Sequence, residues 1–281
     1  MLPGGAEWLP RFHTALAAAS SVTFASEAAY VGDHDQFHYG NSLAMGMTLL
    51  RAAHLHTSPE MLAVWNGTAP RGSGGTGGEV ARWRGLGHVA HVIAPGDITR
   101  PAVAAPRQHP LTSATRCQRA ILFTDYAGFS RLDEHALPGF WADVMGPVAA
   151  VLDSAGSTID FRNSWGDAVF AVIDDLAMAA RVALDITAPP LVDGAGMRVA
   201  LHFGPVYRMN DPITGQDGYI GTEVTRAARI EPVTPVGQVF VTQPFAAMLT
   251  LAGHSDFRLE YAGKIVLAKK YGTMTLYRLS R

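Results

Sequence analysis

The chain has 281 residues, of which 48% are hydrophobic and 16% are charged, and its formal net charge is -2. The apolar fraction is enough for a packed core, and the length allows one large domain or two of medium size. The near-neutral charge argues against nucleic-acid binding, which normally requires a basic face. We therefore expect a globular protein that binds no nucleic acid and that holds any phosphate group locally.

Cysteine content and apolar runs bear on the location of the chain. Cys117 is the only cysteine, so no intrachain disulfide can form and a reducing compartment is favoured. The first ten residues lack the basic and apolar regions of a signal peptide. No window approaches the roughly 18 apolar residues of a membrane helix. We expect a cytoplasmic protein that does not enter the membrane.

The first 95 residues predict a small α/β module. Ser42–Leu55 has apolar residues at helical spacing, and Met61–Trp65 is a short apolar strand. A Gly-rich loop, Gly67–Gly78, precedes a short helix, Glu79–Leu86, and a second strand, Val89–Ile93. This order is a βαβ unit, which implies a parallel sheet. The loop lacks the Gly-Lys-Ser/Thr ending of a phosphate-binding P-loop, and we interpret it as a flexible connection.

A proline-containing stretch separates this module from the rest of the chain. Residues 96–118 show no sustained period and include Pro101, Pro106 and Pro110, which indicates a linker. The remaining residues, 119–281, predict an α+β domain with a ferredoxin-like βαββαβ order. Its predicted elements are, in chain order, strand Ala120–Thr124, a turn at Asp125–Gly128, a helix to about Ala155, strands Thr158–Asn163 and Ala168–Ile173, helix Leu176–Asp185, strand Arg198–Phe203, helix Val224–Ile230, strand Gln238–Thr242 and a hairpin of Phe257–Leu267 with Thr273–Leu279.

Two aspartates occupy strand ends in this domain. Asp125 follows the apolar run that starts at Ile121, and Asp167 lies in a Gly–Asp turn between two predicted strands. Each residue alone has an ordinary interpretation, as a helix cap or as a hairpin turn. The βαββ order makes their strands neighbours, so the two carboxylates can meet. Paired carboxylates that hold two metal ions on a triphosphate are a known arrangement for in-line attack on phosphorus.

Four ordered motifs now carry a family resemblance. They are Phe123-Thr-Asp125-Tyr-Ala-Gly128-Phe129-Ser130, Gly166-Asp167-Ala168, Leu201-His-Phe-Gly204-Pro-Val206 and Ala227-Ala-Arg229-Ile. In order and spacing they resemble the class III adenylyl/guanylyl cyclase catalytic domain, from about Arg119 to the C-terminus. The first 95 residues resemble the short Rossmann-like module that precedes some bacterial cyclase domains.

The resemblance implies a reaction and a set of roles. In that family the 3′-hydroxyl of a nucleoside triphosphate attacks the α-phosphate, and pyrophosphate leaves. Asp125, Asp167 and the carbonyl of Tyr126 would hold two divalent ions, Mg²⁺ or Mn²⁺. Arg229 would stabilise charge on the transferred phosphorus from the other subunit of a homodimer with two composite sites. The residues implied to lie against the substrate are Ala127, Gly128, Phe129, Ser130 and Gly166.

Several positions depart from the family pattern. Asn163 stands where the family has a base-reading lysine, and Gly218 stands where it has the lysine's acidic or threonine partner. Thr225 replaces the asparagine that orients the ribose. An amide can donate and accept hydrogen bonds, but Asn163 with Gly218 cannot read a purine edge as Lys–Asp does. Lys269 and Lys270 lie near the family's triphosphate-binding lysine, although an ordinary solvated turn explains them equally well.

Three functions follow as hypotheses. The first is a nucleotidyl cyclase that converts ATP, the default substrate, to a 3′,5′-cyclic nucleotide for signalling. The rewritten base positions raise a second, a UTP or CTP cyclase of the kind used in bacterial anti-phage defence. The third belongs to another class, a catalytically silent module that binds a nucleotide and regulates a partner. Retention of both aspartates argues against the third.

Overall fold

A computed structural model describes residues 5–27, 35–68, 75–95 and 115–281, and it divides the chain into two compact units. The first unit comprises residues up to Asn41 and Ser58–Leu111; the second comprises Ser42–Thr57 and Thr112–Arg281. The predicted boundaries at residues 95 and 119 stay predictions, because most of the linker lies outside the described residues. Within the described ranges, none of the helices is long and apolar enough to cross a membrane.

The first unit contains the predicted βαβ arrangement. Helix α1 spans Gly5–Ala18 and helix α2 spans Asp35–Leu55, its last part belonging to the second unit. Strand β1 (Met61–Val64), helix α3 (Thr76–Gly85) and strand β2 (Ala90–Ile93) follow. The two strands pair in parallel, as the βαβ pattern predicts. Trp83 on α3 is buried and its Nε1 donates to the carbonyl of Val89 at 2.9 Å, which ties the helix to the sheet.

The helix after the Gly-rich loop begins with a buried acid. Glu79 lies in the first turn of α3 and is only 7% exposed, with His38 Nδ1 3.5 Å from its Oε1. A carboxylate in the first turn lies near the positive end of the helix dipole. Residues 69–74 of the Gly-rich loop lie outside the described residues, so its interpretation as a flexible connection stays a prediction.

The second unit is built on an eight-stranded sheet. Its elements, in chain order, are β3 (Thr115–Ala127), α4 (Leu137–Phe140), α5 (Gly146–Ser154), β4 (Ile159–Trp165), β5 (Ala168–Ile173), α6 (Leu176–Ile186), β6 (Gly196–Asn210), β7 (Asp217–Ile220), α7 (Thr222–Ala227), β8 (Val239–Thr242), α8 (Gln243–Leu251), β9 (Arg258–Val266) and β10 (Thr273–Ser280). The sheet order is β4-β5-β3-β6-β8-β10-β9, and β7 pairs with β6 outside that order.

The first four of these strands confirm the ferredoxin-like prediction. Strand β5 is antiparallel to both β3 and β4, so β3 and β4 run parallel with β5 between them. Strand β6 is antiparallel to β3 on its other side. This is the split βαβ arrangement of an α+β fold. It places the turn between β4 and β5 beside the end of β3.

Packing on the sheet follows strand alternation. Ile121 of β3 lies in a buried cluster with Val172, Val206, Tyr219 and, from α7, Ala227. The alternate residues point to the opposite side of the sheet, where Leu122 and Leu201, paired in the β3–β6 register, are also fully buried. The central strands are therefore covered on both faces, which fixes the backbone positions of their polar residues.

Three local expectations are corrected. Asp125 lies within β3, which continues to Ala127, so the predicted turn begins later, at Gly128. The predicted long helix to Ala155 is broken into two 3₁₀ turns, α4, a π-helical turn at Trp141–Met145 and α5. Pro138 and Pro147 lack the N–H groups of a continuous helix, which explains the interruptions. Strand β7 and helix α8 were not predicted, because β7 is short and α8 is apolar on several sides.

Candidate active site

The structure brings Asp125 and Asp167 together. Asp125 is the third residue from the end of β3, and Asp167 lies in the turn between β4 and β5. The turn is fixed to β3 by a buried hydrogen bond in which Val169 N donates to Thr124 Oγ1 at 3.2 Å. Gly166 has a φ of 62°, a left-handed conformation that favours glycine and lets the turn close tightly.

The two carboxylates interact electrostatically. Burial raises the pKa of Asp167, and the charge and hydrogen bonding of Asp125 raise it further. The backbone N–H groups of Asp167 and Tyr126 act in the opposite direction and offset part of this rise. Two carboxylates held this close repel each other unless a proton or a cation lies between them. The site therefore has the chemistry of a cation-binding pair.

A third acidic residue and an arginine complete the charged centre. Arg198, directly opposite Asp125 in the β3–β6 register, pairs with the Asp125 carboxylate, and its Nε is 3.1 Å from Glu231 Oε1. The second contact is an ion pair by distance, although its N–H direction does not satisfy hydrogen-bond geometry. Burial raises the pKa of Glu231 to about 7; Arg198 opposes this, whereas Asp125 and Asp167 contribute to it.

Sequence reasoning missed Arg198 and Glu231. The one available signal was a charged residue at the first position of an otherwise apolar strand, Arg198–Phe203. The partner of that charge depends on the register between β3 and β6, which the sequence does not state. Within the described residues, no group of three or more His, Cys, Asp or Glu side chains is arranged to hold a metal ion.

The loop after β3 lies beside the hairpin tip. Strand β3 ends at Ala127, Gly128 has a φ of 113°, and Phe129–Arg131 forms a 3₁₀ turn that contains Ser130. A Cβ placed on Gly166 would lie 3.9 Å from Phe129 Cε1. The loop and the turn that carries Asp167 are therefore neighbours, as the resemblance implies.

The two base-side positions lie on strands that approach each other. Asn163 is exposed on β4, and its Oδ1 accepts from Ser164 N at 2.8 Å. Gly218 is on β7, and the next residue, Tyr219, donates its hydroxyl to Asp160 Oδ2 of β4 at 3.2 Å. Burial and the charge of Asp160 raise the Tyr219 pKa to about 12, so this phenol stays protonated. No described contact joins Asn163 directly to Gly218.

Asn163 also borders a cavity. The cavity, of about 420 Å³, lies between the segment Trp141–Leu152 and strand β4, where Arg162, Asn163 and Ser164 form its polar wall. Trp141 is 55% exposed beside it, and Met145 is buried. Neither Asp125 nor Asp167 lines this cavity. It is thus adjacent to the charged centre but distinct from it.

Thr225 and Arg229 occupy the outward side of the α7 segment. Thr225 is exposed and Arg229 is half-buried, whereas Glu223, Ala227 and Ile230 are buried. In the described part of the chain, no ion pair or hydrogen bond joins Arg229 to Asp125 or Asp167.

Lys269 and Lys270 lie in the turn between β9 and β10. Lys269 has a left-handed φ of 56°, which is unusual for a residue with a side chain. These strands form the edge of the sheet opposite to β4 and β5. The two lysines are therefore not brought to the aspartates within one chain, and the side chain of Lys270 lies outside the described residues.

Comparisons with known proteins identify the fold of the second unit. The model matches the adenylyl cyclase CyaB from P. aeruginosa with a TM-score of 0.51 and 17% identity, over 60% of this chain and 97% of that one.

Two guanylyl cyclase structures are also similar. The first is the catalytic core of a rhodopsin–guanylyl cyclase with converted specificity in complex with ATPαS: TM-score 0.49, 19% identity, 60% of this chain and 99% of that one. The second is the guanylate cyclase domain of RhGC from Catenaria anguillulae in complex with GTP: TM-score 0.48, 18% identity, 58% of this chain and 96% of that one. No protein-family model matches the sequence, and no curated protein matches it. The comparison with CyaB confirms the fold that the four motifs predict.

Proposed function

We propose that the second unit is the catalytic part of a metal-dependent nucleotidyl cyclase. It would convert a nucleoside triphosphate to a 3′,5′-cyclic nucleotide and pyrophosphate. The observation that carries the proposal is the meeting of Asp125 and Asp167, from separate elements, in one partly buried site where burial and the Asp125 carboxylate raise the pKa of Asp167. Two carboxylates this close are unfavourable in a turn that only joins two strands. A bound cation relieves their repulsion, so the arrangement suits a cation-binding site.

The donor set fits divalent ions. Carboxylate and backbone carbonyl oxygens are the ligands that Mg²⁺ and Mn²⁺ prefer. Asp125, Asp167 and the Tyr126 carbonyl would hold them. Such ions, when bound, lower the pKa of a hydroxyl and neutralise phosphate charge.

The chain's own residues would then position and stabilise the substrate. Arg198 is held between Asp125 and Glu231 by ion pairs. From this position its guanidinium would donate to a phosphate oxygen of the substrate. The loop from Ala127 to Ser130 would cover the phosphates. In the reaction, a bond forms between O3′ and the α-phosphorus, the bond between the α-phosphorus and the oxygen bridging to the β-phosphorus breaks, pyrophosphate leaves with that oxygen, and the hydroxyl proton passes to water.

Arg229 would act across a dimer. It is not joined to its own aspartates, and its half-buried guanidinium is suited to the charge that builds on the transferred phosphorus. A two-fold homodimer would place Arg229 of each subunit against the aspartates of the other and create two composite sites. Thr225, on the same outward side of α7, would contact the ribose.

The choice of base remains a separate question. ATP is the default substrate. The alternative is a UTP or CTP cyclase of the kind that serves anti-phage defence, because Asn163 and Gly218 stand where cyclase domains have the lysine and the acidic or threonine partner that read a purine. Asn163 Oδ1 accepts from Ser164 N, which leaves the amide NH2 group to donate to an acceptor on the bound base.

One assay tests both points. The purified full chain is incubated with ATP, GTP, UTP and CTP separately, with Mg²⁺ or Mn²⁺, and products are identified by mass. A cyclic product from any triphosphate supports the cyclase; product from UTP or CTP alone replaces ATP as the substrate. Triphosphate binding without turnover would instead support a silent regulatory module.

A mixing experiment tests the composite site. In this proposal, Asp125→Asn and Arg229→Ala chains each retain only a small residual activity when assayed separately. When equal amounts exchange subunits, half of the dimers are mixed and each has one intact site, so activity should return to about a quarter of the wild-type value. Absence of recovery, with subunit exchange verified by differently tagged chains, would place Arg229 in the same site as its own aspartates.

A further inference from the structure

The Leu201–Val206 motif contains a buried histidine that joins two helices. His202 is fully buried on β6. Its Nε2 is 2.6 Å from Glu223 Oε2, in the first turn of α7, and its Nδ1 is 2.8 Å from Thr242 Oγ1. Thr242 is the N-cap of α8 and also accepts from Phe245 N at 3.3 Å. One imidazole thus links the starts of α7 and α8.

The protonation states follow from the surroundings. Burial lowers the pKa of His202, an effect that outweighs the nearby Glu223 carboxylate, so the imidazole is neutral. Burial alone would raise the pKa of Glu223, but the hydrogen bond from His202, together with the hydrogen bonds and the charge of Arg226, outweighs it and the pKa is lowered. An ionised Glu223 can only accept, so Nε2 carries the proton and Nδ1 accepts from the Thr242 hydroxyl.

Helix α7 depends on this anchor for its orientation. It has six residues, and its N-cap, Gly221, provides no side-chain hydrogen bond. A helix this short is unstable on its own and takes its position from its buried contacts. Those contacts are Ala227, Ile230 and Glu223, of which Glu223 is the charged one, with Arg226 Nη1 at 2.8 Å from its Oε2.

Gly204 makes room for the anchor. A Cβ on Gly204 would lie 2.8 Å from Glu223 Cγ and 3.3 Å from Glu223 Cβ. The first distance is shorter than real Cβ contacts, so any side chain at this position would displace Glu223. The motif therefore provides both a donor, His202, and a space, Gly204, for one acidic side chain on another element.

We infer that Glu223 is a positioning residue of the active site. Glu223 is bonded to His202 and fits the space left by Gly204, and it thereby fixes the inner side of α7. Thr225 and Arg229 then lie on the outer side. The inference rests on the proposed function, in which Arg229 acts on the partner's substrate. Glu223 touches neither substrate nor metal in this assignment and acts through Arg229.

Kinetics separate positioning from general stability. Glu223→Gln keeps the side-chain shape and removes the charge that holds Arg226 and His202. We expect kcat to fall about tenfold or more while KM changes less than about threefold, because misplacement of a group that acts in the transition state affects kcat. In an Arg229→Ala background the same change should have little further effect. Additive losses would show that Glu223 does not act through Arg229.

A second cycle tests the space at Gly204. Gly204→Ala should lower kcat because the new methyl group meets Glu223. Combined with Glu223→Ala, which removes the atoms that clash, Gly204→Ala should cost little beyond Glu223→Ala alone. Equal effects of Gly204→Ala in both backgrounds would contradict the proposed packing. Asp185→Asn, which alters the exposed ion pair between Asp185 of helix α6 and Arg281, is the control.

Hydrogen exchange provides a readout that needs no activity. Amides of residues 222–230 should exchange faster in Glu223→Gln than in the wild type, while those of β3 and β6 and the Asp185→Asn control stay unchanged. Unchanged exchange at α7 would contradict the inference that the His202–Glu223 contact holds this helix. If the wild type makes no cyclic nucleotide but α7 still loosens, the proposed function fails while the anchor stands.

Discussion

The charged centre and the base-side positions of the second unit are built very differently. In the charged centre, four ionisable side chains from two strands and two turns are partly buried and linked, so each one fixes its neighbours: Asp125, Asp167, Arg198 and Glu231. Asn163 and Gly218 lie on separate strands, exposed or without a side chain, and share no described contact. A linked charged cluster tolerates little change, whereas an open amide position can change without disturbing the fold.

The largest expected effect is at the centre of the charged group. Asp125→Asn keeps the shape of the side chain and removes its charge, and we expect product formation to fall at least about 1,000-fold. The measurement is product formed per minute with Mn²⁺ at saturating triphosphate. Asp185→Asn, an isosteric change at an exposed ion pair on α6, should retain full activity. Substantial activity of Asp125→Asn would remove the basis of the proposed metal site.

The second-largest loss of activity is expected when Arg198 is substituted. Arg198→Gln should lower kcat/KM about 100-fold, because a fixed cation between two carboxylates and the substrate phosphates is lost. Arg278→Gln, which disrupts an exposed ion pair between Arg278 of β10 and Glu260 of β9, is the control of the same chemistry. Comparable losses in both variants would indicate that global stability, measured by thermal unfolding, accounts for the result.

A smaller effect is expected on the base side. Asn163→Lys restores the cation found at this position in the cyclase family. The ratio of kcat/KM for ATP to that for UTP should rise about tenfold, a change equivalent to one added hydrogen bond. Ala262→Lys, at an exposed position of β9 on the opposite edge of the sheet, should leave the ratio unchanged. An unchanged ratio in Asn163→Lys would move base recognition away from this strand.

The smallest effect concerns pH and stability. The pKa of buried His202 is below its ordinary value of 6.5, so the unfolded chain binds more protons once the pH falls below that value. Stability should therefore fall between pH 7 and pH 5. His202→Gln removes this titration and should flatten that part of the curve, measured by denaturant unfolding. An identical slope in both proteins would show that His202 is not buried in solution.

Local patterns sufficed for much of the fold. Apolar runs along β3 and β5 and alternation along β6 predicted strands, and the tight turn at Gly166–Asp167 predicted a hairpin, because these depend on near neighbours in sequence. The same approach placed a single helix where prolines divide the segment between Phe129 and Ser154. It missed β7, whose four residues acquire strand structure only by pairing with β6.

The sequence by itself determined the two aspartates, the order of the elements and the resemblance of four motifs to cyclase domains. Only the tertiary structure decided that Arg198 lies between Asp125 and Glu231, and that His202 and Gly204 both accommodate Glu223. These relations depend on strand register and on side chains that meet across long stretches of chain. The sequence gives the residue types, whereas contacts between residues far apart in the chain depend on how the whole sheet packs.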